Sequence, residues 1–178
     1  MSTQNKKTVK LKEPLISIEN LEVKFINQDA TIHAVNGVDI KLDKGKVLTI
    51  LGESGSGKSV TMRTILRLLP PKASLSGSII VDGENVIEMS QDQLSNMRGR
   101  DVSMIFQEPM VAFDPVYKVG YQIAETVVRH LGTSFEDALA RAKELFDLVQ
   151  IPSAESRLSA YPHELSGGMR QRAMIALA

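Results

Sequence analysis

The stretch Gly52-Glu53-Ser54-Gly55-Ser56-Gly57-Lys58-Ser59 limits what this chain can fold into more than any other. It fits Gly-x-x-x-x-Gly-Lys-Ser/Thr and sits between two segments of different period. Before it, Val47-Leu48-Thr49-Ile50-Leu51 is short, apolar and β-prone, the composition of a strand buried on both faces. After it, Met62, Ile65, Leu66 and Leu69 recur at helical spacing until Pro70-Pro71, which predicts a helix of about three turns. Glycines let the backbone take conformations closed to other residues and approach a ligand closely. Successive amide N–H groups can then point at phosphate oxygens, aided by the positive end of the helix. Lys58 reaches the β- and γ-phosphates as a point charge, and the Ser59 hydroxyl ligates a bridging magnesium ion. The competing reading is a plain Gly/Ser turn. The third glycine, the Lys-Ser pair and the strand-to-helix setting together favour a site for a nucleoside triphosphate.

At 178 residues the chain suits one domain with a real core. Apolar residues make up 43% and charged ones 24%, as in soluble globular proteins. The 21 basic and 21 acidic side chains cancel, so no global field recruits nucleic acid or an anionic membrane, and no nucleic-acid partner is expected. Without cysteine there are no disulfides or thiolate metal sites. No apolar run approaches the roughly eighteen residues of a membrane span, and the N-terminus lacks the apolar centre of a signal peptide. The chain is therefore expected in the cytoplasm, with a membrane partner left open.

Residues 1–13 are polar and lysine-bearing and read as a loose tail. Leu15 to Phe25 alternates apolar and polar side chains, the mark of a strand with one solvated face, and Ala34 to Leu42 alternates in part. Such strands ahead of the glycine-rich loop suggest an antiparallel sheet beside a parallel one. Ser78-Ile79-Ile80-Val81 followed by Asp82-Gly83 reads as strand and turn. Ser90 with Gln93 forms a possible capping box for a short helix ending near Gly99, and Val102 to Phe106 reads as another strand. From about Gly120 the pattern turns helical: Ile123, Val127 and Leu131 keep one face, Gly132 ends it, and Ser134 with Asp137 caps a longer helix through Val149, before Pro152.

A second candidate anion site is Ser166-Gly167-Gly168-Met169-Arg170-Gln171-Arg172. Ser166 can cap a helix or turn its hydroxyl outward, and the two glycines expose amides at the positive helix end. On physical grounds alone the ordinary Ser-capped helix is favoured. Leu165 to Arg172, however, resembles the Leu-Ser-Gly-Gly signature of ATP-binding cassette (ABC) proteins, although Met169 stands where that family more often has glutamine. Tyr-Pro-His-Glu-Leu-Ser-Gly-Gly-Met-Arg-Gln-Arg, Phe-Gln-Glu-Pro-Met and the Asp114-Pro115-Val116 region look most like the ATPase subunits of oligopeptide, dipeptide and nickel importers. The resemblance covers about residues 15 to 178.

That resemblance implies an α/β P-loop NTPase core of ABC type with an antiparallel β-subdomain and a helical signature subdomain, incomplete at the C-terminus. The implied division is a tail over 1–13 and a partial ATP-binding domain over 14–178, with the β-subdomain and P-loop core at 14–112 and the helical subdomain at 113–178. ATP and Mg²⁺ are the implied cofactors, held by Gly52, Glu53, Ser54, Gly55, Ser56, Gly57, Lys58, Ser59 and Val60. Phe25 matches an aromatic that stacks on adenine; without the family it is a strand-end core residue. Gln107 matches a glutamine that meets magnesium and the attacking water. Ser166, Gly167, Gly168 and Met169 match the signature, whose Ser-Gly-Gly clasps the γ-phosphate of ATP held by an opposing subunit. The implied partners are a second ATPase subunit in a head-to-tail dimer, transmembrane permease subunits and, indirectly, an extracytoplasmic solute-binding protein. The implied place is the cytoplasmic face of the cell membrane, with docking through the exposed part of Glu108 to Tyr121.

In the family an apolar strand ending in Asp-Glu follows, then a histidine that contacts the γ-phosphate. His33, His130 and His163 do not match it, so the chain as written is expected to bind ATP without hydrolysing it, or to be insoluble alone. A parallel strand at Val47 to Leu51 without its neighbour also leaves an apolar edge that invites aggregation. Two other readings are a non-transport ABC ATPase of repair or translation and a P-loop kinase. The first usually carries long insertions or tandem cassettes, and the second leaves the signature unexplained.

Overall fold

The computed structural model describes residues 13–178; the expectation for the tail lies, but for Glu13, outside them. Two compact units divide between Ser95 and Asn96.

The first unit is a four-stranded antiparallel sheet in the order β2-β1-β3-β4, with one helix beyond the glycine-rich loop. Its strands are β1 (Ile16–Ile26), β2 (Thr31–Leu42), β3 (Ala73–Val81) and β4 (Glu84–Asn85). The period-2 pattern sets the register: Ile18, Leu21 and Val23 of β1 are fully buried, with Ile18 opposite Ile79 and Val23 opposite both Val35 and Leu75. An irregularity at Asn20, in left-handed backbone at φ 48°, lets its N–H donate to Asp39 Oδ1 at 2.7 Å.

Helix α1 (Lys58–Ile65) is shorter than the apolar spacing predicts. It closes before the two prolines, through a Schellman arrangement in which Leu68 N–H donates to Arg63 O and Arg67 N–H to Thr64 O, both at 2.9 Å. Arg67 takes the left-handed position at φ 48° that glycine usually fills, and its guanidinium donates to Met89 O at 2.7 Å. Helix α2 (Gln91–Met97) has the expected box: Gln93 N–H donates to Ser90 Oγ at 3.2 Å and Ser90 N–H to Gln93 Oε1 at 2.9 Å.

Two expected strands are not strands. Val47 to Leu51 forms no ladder, and Val47 and Leu51 are 94% and 88% exposed. Val102 to Phe106 shows only an isolated bridge between Arg98 and Val102. The physical reason is shared: a parallel strand is held by bonds to neighbours on each side, and among the described residues none lies alongside. The sheet present is thus wholly antiparallel.

The second unit is helical: α3 (Val119–Leu131), α4 (Phe135–Leu148), α5 (Ala154–Leu158) and α6 (Gly167–Leu177). Ile123 of α3, Phe146 of α4 and Met174 of α6 meet in its core with Phe113 and Leu165. Gly132 closes α3 in left-handed backbone, and Ser134 caps α4 by accepting from Asp137 N–H at 3.1 Å, both as the sequence predicts. No helix among the described residues is long and apolar enough to cross a membrane.

Candidate functional site

The glycine-rich loop ends on Gly57, the N-cap of α1, at φ 89°, and Gly55 lies at φ 82°. Left-handed backbone costs an L side chain about 1–2 kcal/mol. Gly57 is constrained a second time, because a Cβ there would run into the backbone oxygen of Ala34 on β2. A Cβ on Gly55 would meet nothing within 4 Å, so Gly55 is fixed by its dihedral alone.

No side chain caps α1, and no acidic residue lies in its first turn. The N–H groups that open the helix, at Lys58, Ser59 and Val60, have no intrahelical acceptor, and the positive helix end is unneutralised. Lys58 Nζ donates to Gly52 O at 2.7 Å, Glu53 O at 2.5 Å and Ser56 Oγ at 3.1 Å. Three neutral acceptors engage all three protons of the ammonium and fix its position without cancelling its charge. Among the described residues no carboxylate pairs with it. Ser59, next along, is exposed. Oriented amides, an uncompensated ammonium and a hydroxyl suit a polyphosphate carrying a hard divalent cation. No group of three His, Asp or Glu among the described residues could hold a metal unaided.

Phe25, at the far end of β1, is half-buried and lines an apolar cavity of about 600 Å³ with Ile26, Ile32, Pro70 and Pro71. Gln107 belongs to the second unit, exposed at the end of the extended segment that precedes the 3-10 turn Pro109–Val111. Ser166 is the N-cap of α6: its hydroxyl accepts from Met169 N–H at 3.3 Å. Of the two orientations open from sequence, the capping one is present. Gly167 and Gly168 are exposed, with open space where a Cβ would stand. The loop residues Gly52 to Val60 are therefore gathered in one unit with Phe25, and Gln107 and Ser166 to Met169 in the other.

Sequence reasoning missed two parts of the loop's environment. The Ala34 carbonyl that excludes any side chain at 57 carries no sequence signal, being a backbone atom at a position that the pairing of β1 with β2 skips. The carbonyls of Gly52 and Glu53 that hold Lys58 are equally silent.

Comparison with known proteins gives a match to the family described as ABC transporter over residues 35–178. The oligopeptide transport ATP-binding protein OppD of Bacillus subtilis is 44% identical over 166 residues, which is 92% of this chain and 46% of that protein. A probable peptide ABC transporter ATP-binding protein, y4tR of Sinorhizobium fredii, is 46% identical over 92% of this chain and 50% of its own length. The chain thus spans about half the length of the curated relatives it matches. Among solved structures, the dimeric bacterial ABC transporter cassette MJ0796 superposes with a TM-score of 0.80 at 24% identity, covering 91% of this chain and 68% of that one. That likeness bears on the fold alone.

Proposed function

Because the chain belongs to the ABC transporter family, we propose that it is the ATP-binding part of an importer ATPase, coupling ATP binding and hydrolysis to uptake of di- and oligopeptides. The observation that carries the reading is the loop from Gly52 to Ser59, an uncapped helix end with a fixed, carboxylate-free ammonium. The peptide assignment draws on the relatives named for oligopeptide and peptide transport.

In this reading the amides of Lys58, Ser59 and Val60 and the Lys58 ammonium take the phosphates, while Phe25 stacks on adenine for about 1 kcal/mol. Ser59 is the loop residue that would hold magnesium, which when bound with ATP neutralises phosphate charge; for Gln107, in the other unit, a magnesium contact is drawn from the family pattern. Gln107 also orients the attacking water. Lys58 stabilises charge on the transferring phosphoryl group from a position set before the reaction begins, so little reorganisation opposes it.

Ser166, Gly167 and Gly168 meet the γ-phosphate of ATP held by a second subunit in a head-to-tail dimer. Closure on two nucleotides shifts transmembrane permease subunits between states, and hydrolysis releases it. The complex stands at the cytoplasmic face of the membrane, with a solute-binding protein on the other side. Docking to the permease uses the exposed part of Glu108 to Tyr121, where Tyr117 and Tyr121 stack at 5.7 Å and Tyr121 meets Phe135 at 5.3 Å. The domain limits that go with this reading are 14–112 and 113–178.

Lys58→Ala in the full-length protein, assayed in its membrane complex, tests the site. ATP binding and turnover should fall to background, and turnover at the wild-type rate would refute the role. Uptake assays with di- and oligopeptides against nickel separate the peptide reading from that of another solute.

A further inference from the structure

We propose that Arg172 is a positioning residue that holds the N-terminus of α6, and with it Ser166 to Gly168, in the orientation needed to receive a phosphate. This rests on the signature reading given above. Arg172 lies six residues beyond the cap, roughly 9 Å along the axis. Its Nη1 donates to Gln150 O at 2.7 Å. Among the described residues this is the one hydrogen bond from α6 to another element, and no carboxylate competes for the guanidinium.

The apolar side of α6 packs through small and flexible groups: Ala173, Met174 and Ala176 are buried, and Met169 and Leu177 lie partly buried against the same core, contacts that carry no direction of their own. A directional bond on the polar side fixes what they leave loose. The acceptor is itself rigid. Gln150 occupies the left-handed position at φ 59° of the Schellman closure of α4, where Ile151 N–H donates to Phe146 O at 2.9 Å and Gln150 N–H to Asp147 O at 3.0 Å. Ile151 and Phe146 are both buried, so the Gln150 carbonyl is anchored to the core of the unit.

The test compares wild type, Arg172→Ala, Arg172→Lys and Ser166→Arg in the full-length protein. The measurements are monomer affinity for a fluorescent ATP analogue, ATP-dependent dimerisation, and kcat and KM for ATP. Arg172→Ala should lower kcat and weaken dimerisation about three- to tenfold, the range expected for one hydrogen bond, while monomer nucleotide affinity stays at the wild-type value. Arg172→Lys should recover most of the loss, because an ammonium can donate to the same carbonyl. If Ser166→Arg blocks dimerisation but Arg172→Ala leaves kcat and dimerisation within twofold of wild type, the positioning role is overturned and the signature reading stands. If Ser166→Arg itself dimerises normally with ATP, the signature reading falls and the role of Arg172 with it. An equal fall in monomer affinity and kcat, unrescued by lysine, would mean general loss of structure and would also overturn the proposal.

Discussion

Alanine at Gly57 and alanine at Gly55 should behave differently, although both glycines lie in left-handed backbone. The dihedral cost, about 1–2 kcal/mol, is common to both. It is present with and without nucleotide, so it lowers stability and leaves affinity unchanged. At Gly55 nothing further happens, since a Cβ there has no atom within 4 Å. At Gly57 the Cβ runs into the Ala34 oxygen, with Val35 Cγ2 at 3.5 Å behind it. Ala34 is the residue of β2 that the pairing with β1 skips, but His33 and Val35 on either side of it pair with Lys24 and Val23, so the loop, which has no ladder of its own, yields before the strand. Yielding at the N-cap displaces the amides of Lys58, Ser59 and Val60 together. Misaligning even one bond to a charged phosphate costs about 1.5–3 kcal/mol, or roughly tenfold to a hundredfold in affinity. Titration with a fluorescent ATP analogue at low protein concentration, with circular-dichroism melting of the same samples, separates the two effects. Gly57→Ala should bind at least tenfold more weakly than wild type, and Gly55→Ala within about threefold, a difference of under about 1 kcal/mol. Equal affinities for the two variants would refute the idea that β2 sets the position of the loop.

Phe146→Ala should destabilise the helical unit by about 3–5 kcal/mol, since the ring is fully buried; urea unfolding showing under 1 kcal/mol would contradict its place in the core. Ser134→Ala removes the acceptor for Asp137 N–H and should cost about 1 kcal/mol in the same assay, with Ser134→Gly costing less. Glu22 is held below the usual carboxylate range by the hydrogen bond from Lys24, whose Nζ lies 2.8 Å from it, and by the charge on that ammonium. A depressed carboxylate contributes stability above its unfolded-state pKa and loses it as pH falls through the folded one. An NMR titration should therefore place the Glu22 midpoint low and show it rising in Lys24→Ala, with the acid-side loss of stability becoming smaller; an unmoved midpoint would remove Lys24 as the cause.

What could be read from the sequence was what residues state locally. The alternation in β1 names its own buried face, and the caps at Ser90, Ser134 and Ser166 need only a neighbour three residues on. What could not be read belongs to pairs distant in the chain. Val47 to Leu51 declares a β preference, but a strand is a property of two segments, and the ladder that would fix this one is not among the described residues. The end of α1 was equally hidden. No glycine marks it, and Arg67 can hold left-handed backbone there with its guanidinium on Met89 O, an acceptor 22 residues away.

Ser166 shows how two sequence readings can both survive in one geometry. Capping and anion binding compete only if they need the same part of the hydroxyl, and they do not. The oxygen lone pair accepts from Met169 N–H, which leaves the O–H proton free to donate. A phosphate oxygen arriving at the exposed Gly167 and Gly168 amides can take that proton while the cap stays formed, so binding need not unwind the first turn of α6. The capped state is then the form ready for the anion rather than an alternative to it. Alanine at 166 should weaken the helix end and phosphate recognition together. Threonine, which keeps both the acceptor and the donor, should preserve both.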